Sequence, residues 1–501
     1  MFKTRSNRFP KLLAWMLLLC IMLTAVSCAK KAPSEETAQT NPPPASVDTS
    51  YDPEIEAVDF GGESFVIFTR TNYGGSSYEE FDVQEYTDDI INQAVYDRNI
   101  YLEDKYNMEI EVNTEHKDSV AQVVYQLHLS DLVNFDMVST TLTHMINLAR
   151  NGVLAEIGDI PIIDTSAPYW FDDIIDAGTV NNKSFVLAGD ANLWVLHSVG
   201  ATMFNRSMIN DLNLTSPYTL IENNEWTYAK LYEMTKEANL PNSNSNVASN
   251  RYGITSTYAV VETMFTGMGG TLVSRDQDGA MSVGYLSDRN IDIITKIVDY
   301  WSDTDSALLI NRHDSYTSPN GASSNLMMDV FNSGNALFVI EMMYQFPTLI
   351  HNEYGVGIVP APKYDAAQEE YYSFVHQGHA TGMGVPNKWL GNSERMDRIG
   401  RVMEDMNYKS RSTVRQTYYE DNLRLRRAQD DESYEMLEIV YDRMVMDPGM
   451  MLQGAGFKAS DKIRALVYAA DTSDIYSSML ANYESDMEIL QDLIDNYFKK
   501  E

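Results

Sequence analysis

The hydrophobic and polar positions first become regular near Gly61. Ser64 to Phe68 is a short apolar run, which predicts a strand that ends at a polar and aromatic loop, residues 69–75. Apolar residues then recur at helical spacing between Ile90 and Tyr106, and Met108 to Val112 alternates apolar with polar residues. A buried strand, a helix and a half-buried strand are therefore predicted in that order.

The alternation between strand-like and helix-like patterns continues along the chain. A helix is predicted over residues 119–129, a strand over Phe135 to Ser139, and a second helix over Leu142 to Arg150. Strands that alternate with helices indicate an α/β sheet. Because ligands of open α/β sheets bind beyond the carboxyl ends of the strands, the residues that directly follow these strands are candidates for a binding site.

Mixed patterning also fills the second half of the chain. Helices are predicted at residues 227–238, 289–304, 323–331 and 393–407. The clearest amphipathic stripe lies near the C-terminus, where apolar residues recur at spacings of three and four: Leu480, Tyr483, Met487, Leu490, Ile494 and Tyr497. We expect this stripe to pack on the protein's own body, and a partner interface is the alternative. The sequence has no internal repeat of solenoid length.

The N-terminus has the pattern of an export signal. Basic residues precede an uncharged apolar run from Leu12 to Ala29. Within it, Ala25-Val26-Ser27-Cys28 resembles the lipobox of bacterial lipoproteins, in which cleavage precedes a cysteine that carries a lipid. The resemblance implies a signal peptide at 1–27 and a lipid anchor at Cys28 on the outer face of the cell membrane. An uncleaved anchor or another cleavage point would also export the body. Residues 28–53 are polar and proline-rich, which predicts a disordered tether.

Charge and cysteine content narrow the classes of partner. The formal net charge is −35, with 72 acidic and 37 basic residues. Because nucleic acids and anionic membrane surfaces need a basic footprint, neither is an expected partner of the body.

The two cysteines are Cys20, inside the apolar run, and Cys28, so the body has no pair for a disulfide. Its stability must come from a large hydrophobic core.

Several short segments occur in an order that is shared with a known family. They are Phe135–Val138 with Asn147–Ile157, Met203–Ile209, Glu225–Leu231, Gly269–Gly279, Phe331–Phe338, Tyr354–Pro362 and Gly384–Asn387. In this order they resemble bacterial extracellular solute-binding proteins of the maltose-binding-like, family 1 type, which are components of ABC importers. The resemblance implies an α/β fold with two discontinuous lobes joined by crossover hinge strands, the type II periplasmic-binding-protein-like fold.

The resemblance also implies how the chain is divided. The first crossover is expected near residues 190–201 and the return near 355–362. Lobe one would then comprise 54–195 plus 356–390, and lobe two 196–355 plus 391–501. In this family the ligand is gripped between the lobes by hinge closure, in a cleft with apolar walls and a few convergent polar groups.

Candidate ligand contacts follow from position in this scheme. A sugar needs flat apolar faces for its C–H surface and planar polar groups for its hydroxyls. Residues of these types that follow strands or lie on the crossover are Arg70, Tyr73, Thr140, His144, Trp194, Tyr258, Glu262, Phe265, Glu341 and Tyr344, with His197 beside Trp194 and Trp170 as a weaker candidate.

Metal and catalytic motifs are not found. His376 and His379 are three residues apart, but the HExxH pattern and a third ligand are missing, so structural or surface roles are expected. Asp276 to Gly279 fits a hairpin turn better than a calcium loop. The chain has neither a GxSxG elbow nor a phosphate-binding glycine loop. No cofactor is expected, although a glycosidase-type pair among so many carboxylates stays open.

The sequence therefore predicts a non-enzymatic, monomeric, lipid-anchored solute-binding protein. It would capture a sugar or oligosaccharide and deliver it to the transmembrane subunits of an ABC permease. Three alternatives remain at this stage: a different solute such as a peptide, an exported carbohydrate-active enzyme, and a surface adhesion lipoprotein without an enclosed ligand site.

Overall fold

A computed structural model describes residues 50–71, 78–240, 246–257, 261–276, 279–313, 326–349, 352–420 and 432–496. All of them fall in one unit of the chain. Cys28 and nearly all of the predicted tether lie outside the described residues. In the part of the chain that is described, no helix is long and apolar enough to span a membrane.

The strands are short and are spread over the whole chain. In chain order they are β1 (Ser64–Arg70), β2 (Glu109–Glu115), β3 (Met137–Thr141), β4 (Gly200–Asn205), β5 (Tyr252–Ser256), β6 (Val273–Arg275), β7 (Met281–Val283), β8 (Ala307–Leu309), β9 (Ala336–Met342), β10 (Val356–Val359), β11 (Ser373–Phe374), β12 (Thr381–Gly384) and β13 (Met444–Val445).

Helices separate most of these strands. They are α1 (Ile90–Tyr106), α2 (Val120–Leu129), α3 (Leu142–Arg150), α4 (Asp172–Ala177), α5 (Leu193–His197), α6 (Arg206–Asp211), α7 (Pro217–Glu222), α8 (Tyr228–Ala238), α9 (Val261–Gly267), α10 (Asp288–Ser302), α11 (Leu326–Asn332), α12 (Ser393–Ser410), α13 (Glu432–Asp442), α14 (Pro448–Met451), α15 (Ala459–Ala469) and α16 (Ile475–Asn496). The mixed α/β class that the patterning predicted is confirmed.

The first sheet has the strand order β12-β3-β1-β2. β2 and β3 run parallel to β1, and β12 runs antiparallel to β3 with Thr381 opposite Thr141. The carboxyl ends of β1 and β3 and the start of β12 therefore share one edge. Arg70, the last residue of β1, lies at this edge.

The second sheet has the order β10-β4-β9-β5-β8. β4 is antiparallel to both β9 and β10, with Gly200 opposite Met342, whereas β5 runs parallel to β9 and β8. The start of β4 and the carboxyl end of β9 thus share an edge. Helix α5 directly precedes β4, and Leu187, shortly before α5, pairs with Met383 of the first sheet. The chain therefore passes from the first sheet to the second through α5.

Two other passages connect the sheets. The chain returns from β10 of the second sheet to β12 of the first, and α12 then packs on the core of the first sheet through Met396, Ile399 and Met403. After α12 the chain continues to α13, which packs against β10. The lobe boundaries expected from the sequence remain a proposal. Strand pairing assigns β10 to the second sheet, and side-chain packing assigns α12 to the first sheet.

The local sequence explains where several helices begin. Asp89 accepts hydrogen bonds from the backbone N–H groups of Ile91 and Asn92 at the start of α1. Thr227 caps α8 by accepting a hydrogen bond from the N–H of Lys230. Lys230 stands where a capping box would have Glu or Gln. Such side-chain caps satisfy N–H groups that have no partner within the helix.

The amphipathic stripe predicted near the C-terminus forms helix α16. Leu490 in this stripe is buried, whereas Leu480 is exposed.

We predict that Gly400→Ala destabilises the protein although it lies inside a helix. Ala is favoured over Gly in a helix interior by ~1 kcal/mol. A Cβ at Gly400, however, would lie 1.9 Å from the carbonyl oxygen of Pro161. The clash should outweigh the propensity and lower the unfolding free energy by about 1–3 kcal/mol, measured by urea denaturation. Gly391→Ala is the control, since a Cβ there has no heavy atom within 4 Å. Equal stability of the two variants would contradict the packing described here.

Candidate functional site

Five polar and aromatic side chains from both sheets meet where the two sheet edges face the first crossover. Arg70 ends β1, Trp194 and His197 lie on α5, Tyr344 follows β9, and His379 precedes β12. We call these five residues the Trp194 cluster. Trp194 and Arg70 are 1% and 5% exposed, whereas Tyr344 and His379 are partly exposed. The cluster therefore has a buried floor and a more accessible rim.

Ring and cation contacts hold the cluster together. The guanidinium carbon of Arg70 lies 4.8 Å from the ring centroid of Trp194, and its Nη2 donates to the carbonyl oxygen of His379 at 3.2 Å. The Trp194 ring lies 5.2 Å from that of His197 and 5.9 Å from that of Tyr344. The rings of Tyr344 and His379 are 6.1 Å apart. A desolvated Arg–Trp contact of this kind contributes ~2 kcal/mol.

A buried carboxylate positions Trp194. Oε1 of Glu80 accepts a hydrogen bond from the backbone N–H of Trp194 at 2.8 Å and from the hydroxyl of Thr381 at 2.6 Å. The fully buried Arg98 of α1 donates to the carbonyl oxygen of Glu80 at 2.8 Å. Burial raises the pKa of Glu80, and Arg70 and these two hydrogen bonds oppose that rise. The carboxylate thus connects the crossover helix to the first sheet.

The imidazoles of the cluster are neutral at physiological pH. Burial, and then the charge of Arg70, lowers the pKa of His197 to about 3 and that of His379 to about 4. Burial also lowers the pKa of His144, and it lowers the pKa of His376 well below the usual 6.5. A neutral imidazole offers one hydrogen-bond donor and one acceptor, which matches the capacity of a sugar hydroxyl.

Thr140 and His144 lie at the same edge of the first sheet. The Oγ1 of Thr140 and the Nδ1 of His144 are 3.4 Å apart, and the hydroxyl of Thr141 caps α3 through the N–H of His144. Thr140 is fully buried, and His144 is partly exposed. Burial lowers the pKa of His144, Asp118 opposes this effect, and the charges of Arg70 and Lys117 add to it.

Glu262 and Phe265 contact residues outside the Trp194 cluster. Glu262 is buried on α9, where its Oε1 accepts from the hydroxyl of Ser460 and forms an ion pair with Arg464, both on α15. Phe265 is fully buried, and its ring fills the space beside Gly270. These contacts join α9 to its neighbours. The structure does not bring either side chain into the Trp194 cluster.

Glu341 is a buried carboxyl without an ion pair among the described residues. It lies near the end of β9, is 4% exposed, and accepts a hydrogen bond from the N–H of Met342 at 2.8 Å. Burial raises its pKa to about 7. It precedes Tyr344 by three residues, so it lies at the same end of β9 as the cluster.

Two predicted contacts, Tyr73 and Tyr258, lie outside the described residues. Trp170 belongs to the core of the first sheet, where its Nε1 donates to Oε2 of Glu404 at 3.1 Å. Among the parts of the chain that are described, no group of three or more His, Cys, Asp or Glu residues is placed to hold a metal ion.

The sequence analysis missed several neighbours of the cluster. It assigned His379 a structural or surface role, and it did not consider Tyr78, Glu80 or Tyr418. The rings of Tyr78 and Tyr418 lie 5.4 Å and 5.0 Å from that of His197. Tyr78 and Glu80 lie in an irregular stretch without hydrophobic period, so no pattern marked them. The position of His379 before β12 becomes informative only once β12 is known to pair with β3.

We predict that Glu341→Gln becomes more stable relative to the native protein as pH rises. A carboxyl whose pKa is raised in the folded state favours folding while it is protonated, and this contribution is lost as pH rises from 4.5 to about 7. A shift of this size corresponds to about 3 kcal/mol, whereas glutamine has no proton to lose. Urea denaturation at pH 5 and pH 8 would measure the difference. Glu394→Gln, at an exposed position on α12, is the control. A pH-independent difference between Glu341→Gln and the native protein would contradict the burial described here.

Comparisons with known proteins identify the fold. Neither protein-family models nor curated protein sequences match this chain. Solved structures do. A cyclic alpha-maltosyl-1,6-maltose binding protein from Arthrobacter globiformis is 13% identical, with a TM-score of 0.55 over 86% of this chain and 100% of its own. An ABC substrate-binding protein from Listeria monocytogenes, in complex with cycloalternan, is 12% identical, with a TM-score of 0.53 over 85% of this chain and 99% of its own.

A third similar structure is a maltose/maltodextrin-binding domain from Bdellovibrio bacteriovorus bound to maltotriose. It is 12% identical, with a TM-score of 0.52 over 85% of this chain and 100% of its own. The similarity thus covers nearly the whole length of these proteins. At this level of sequence identity it establishes the fold alone. The chain has the two-sheet α/β fold of maltose-binding-type solute-binding proteins, the type II periplasmic-binding-protein fold.

Proposed function

We propose that this protein is the extracellular solute-binding component of an ABC importer and that its ligand is a sugar or oligosaccharide. The observation that carries the proposal is the Trp194 cluster, in which flat aromatic faces, a guanidinium and neutral imidazoles from both sheets converge at the crossover. Aromatic faces suit the C–H surface of a pyranose, and planar donors and acceptors suit its hydroxyls. The similar structures from Arthrobacter and Bdellovibrio carry maltose-type sugars in their names.

The burial of the cluster implies how a ligand would be admitted. Trp194 and Arg70 are almost inaccessible to solvent, so a sugar can reach them only if the two sheet edges move apart. The connections between the sheets are few, and hinge motion about such connections is an established mode of ligand capture. In this proposal the partly exposed Tyr344 and His379 meet the ligand first. Closure then buries it against Trp194.

The remaining parts of the proposal concern location and partners. The export signal and Cys28 support a lipid anchor at the outer face of the bacterial cell membrane, and in this proposal the anchored protein is a monomer. The tether would hold the body close to the permease subunits that receive the solute. The strongly acidic composition supports solubility at a cell exterior.

We predict that one class of saccharide stabilises the protein and that Tyr344→Ala weakens its binding. A ligand at a hundredfold its dissociation constant adds ~2.7 kcal/mol to the unfolding free energy and raises the melting temperature. Removing the Tyr344 ring should weaken binding by about two- to tenfold, the range expected for one aromatic contact. Thermal unfolding against a panel of mono- and oligosaccharides and peptides would identify the ligand, and calorimetry would give both affinities.

Tyr232→Ala is the matched control, because Tyr232 is a 38% exposed tyrosine on α8. It should leave the affinity unchanged. Stabilisation by peptides alone would refute the sugar ligand, and sugar recovered in cleaved form would identify an enzyme. If no ligand in the panel raises the melting temperature, the solute-binding proposal fails.

We also predict that Cys28→Ser abolishes lipid attachment. The lipobox pattern assigns the lipid to this thiol, and Cys20, eight residues earlier in the apolar run, provides a matched control. Metabolic labelling with a radioactive fatty acid should mark the native protein and Cys20→Ser but not Cys28→Ser. Membrane fractionation should recover the native protein and Cys20→Ser, but not Cys28→Ser, with the membrane. Label retained in Cys28→Ser would contradict the anchor.

A further inference from the structure

The edge of the first sheet at which Arg70, Thr140 and His144 lie is in contact with a turn from a distant part of the chain. Leu452–Ala455 form a 3₁₀ turn between α14 and α15, and we call it the 452–455 turn. It packs against α3, which begins directly after β3 at this edge. If the turn moves with the second sheet, this contact has to break whenever the two sheet edges part.

Two contacts attach the 452–455 turn to the body of the second sheet. Before the turn, the side chain of Asp447 accepts a hydrogen bond at 2.7 Å from the N–H of Leu272, in the segment that links α9 to β6. After the turn, Arg464 of α15 forms an ion pair with Glu262 of α9. Helix α9 in turn packs on β4, where a Cβ at Gly200 would clash with a hydroxyl of that helix. The turn is therefore carried by the second sheet.

Three side chains of the first body donate hydrogen bonds to the 452–455 turn. On α3, Asn147 donates to the carbonyl oxygen of Gly454 at 3.4 Å, and Arg150 donates to the carbonyl oxygen of the next residue. In the segment before β12, Nε2 of Gln377 donates to Oε1 of Gln453 at 2.9 Å. The side chain of Arg150 is 39% exposed, so water can replace its bond when the turn moves away.

The turn also approaches the first body closely through a glycine and a methionine. A Cβ at Gly454 would lie 2.0 Å from the carbonyl oxygen of Thr143, so only glycine lets the two backbones meet here. Met451, directly before the turn, packs beside Gly178 at the end of α4, where a Cβ would lie 2.8 Å from its Cε. Close packing of this kind, with a flexible methionine and several hydrogen bonds, is typical of contacts between domains that move.

A second polar contact joins the same two bodies. Arg275, on the β6–β7 hairpin between α9 and α10, donates to the carbonyl oxygens of Asp176 and Thr179 at 2.6 and 2.5 Å. These carbonyls lie at the end of α4, whose Ile175 belongs to the core of the first sheet. The last carbonyls of a helix have no partner within it, and a basic side chain can supply one. Both contacts are made by protein groups alone, so they hold the edges together without a ligand.

We propose that the 452–455 turn is a latch that keeps the two sheet edges together in the ligand-free protein. The inference rests on the hinge motion of the proposed function and adds to it a closed state that needs no ligand. The latch and the Arg275 contact release when the edges part, which opens the way to Tyr344 and His379. They form again when the edges close over a saccharide.

The test measures the distance between the two bodies in the absence of any saccharide. The full-length chain, in mild detergent, carries Cys20→Ser and Cys28→Ser, so its only thiols are Gln126→Cys on α2 and Glu237→Cys on α8, both at exposed positions. Helix α2 links β2 to β3 of the first sheet, and α8 packs on β5 of the second. Double electron–electron resonance between spin labels at these sites gives the distribution of distances. We expect one narrow distribution for the latched protein.

Two sets of substitutions open the latch by different means. Gly454→Ala places a Cβ against the backbone of α3 and pushes the turn away from it. Asn147→Ala combined with Arg150→Gln removes two hydrogen bonds and adds no clash, so it carries the test if Gly454→Ala does not fold. Each should raise the fraction of molecules at longer distances about threefold or more. The controls Gly391→Ala and Arg401→Gln lie outside the contact and should leave the distribution unchanged.

The outcomes separate the latch from the proposed function. Unchanged distances in both latch variants overturn the latch and leave saccharide binding standing. A native protein that populates the longer distances as much as the variants do overturns it as well. Longer distances in both variants and in neither control support it. Failure of every saccharide in the thermal unfolding panel removes the solute-binding function and leaves the distance measurement, which uses no ligand, unaffected.

Discussion

A buried carboxyl group needs hydrogen-bond partners, and the partners of Glu80 connect several parts of the molecule. Withdrawing an ionised carboxyl from water costs several kcal/mol unless hydrogen bonds replace the water. For Glu80 those bonds come from the N–H of Trp194 and the hydroxyl of Thr381, and Arg98 supports its carbonyl oxygen. Trp194 is therefore held in place by its backbone, and its buried ring packs against Arg70, His197 and Tyr344. The irregular stretch that carries Glu80 is fixed by the same bonds.

A second buried carboxylate joins two of the three passages between the sheets. Asp190, just before α5, is ion-paired with Arg415 at 2.8 Å and with Arg411 at 3.2 Å. Both arginines belong to a π-helical turn, Arg411–Arg415, that continues α12. Turns of this type are rare and often occur at functional sites. The ion pairs hold the chain that leaves α12 against the first crossover, so a hinge motion of the proposed kind would involve both passages.

Burial also determines the electrostatics of the cluster. Removing the imidazoles of His197 and His379 from water disfavours their charged forms, and the nearby charge of Arg70 acts in the same direction. The result is a set of neutral imidazoles beside Arg70, whose charge also acts on the buried Glu80. This arrangement suits a hydroxyl-rich ligand. A metal site would need a different arrangement, with a third ligand beside the two histidines.

Local pattern was sufficient for much of the fold. The runs at β1 and β3, the helical period of α1 and α12, and the order of the short family-like segments predicted a two-sheet α/β protein, because these signals depend on residues close in sequence. They also placed Arg70, Trp194 and Tyr344 at strand ends or on the crossover. The sequence did not distinguish these from Glu262 and Phe265, which have the same residue types at similar positions. Only the tertiary structure decided between them, because α15 supplies partners for Glu262 from two hundred residues away, and antiparallel pairing of β12 with β3 brings His379 to Arg70 across the sheet edge.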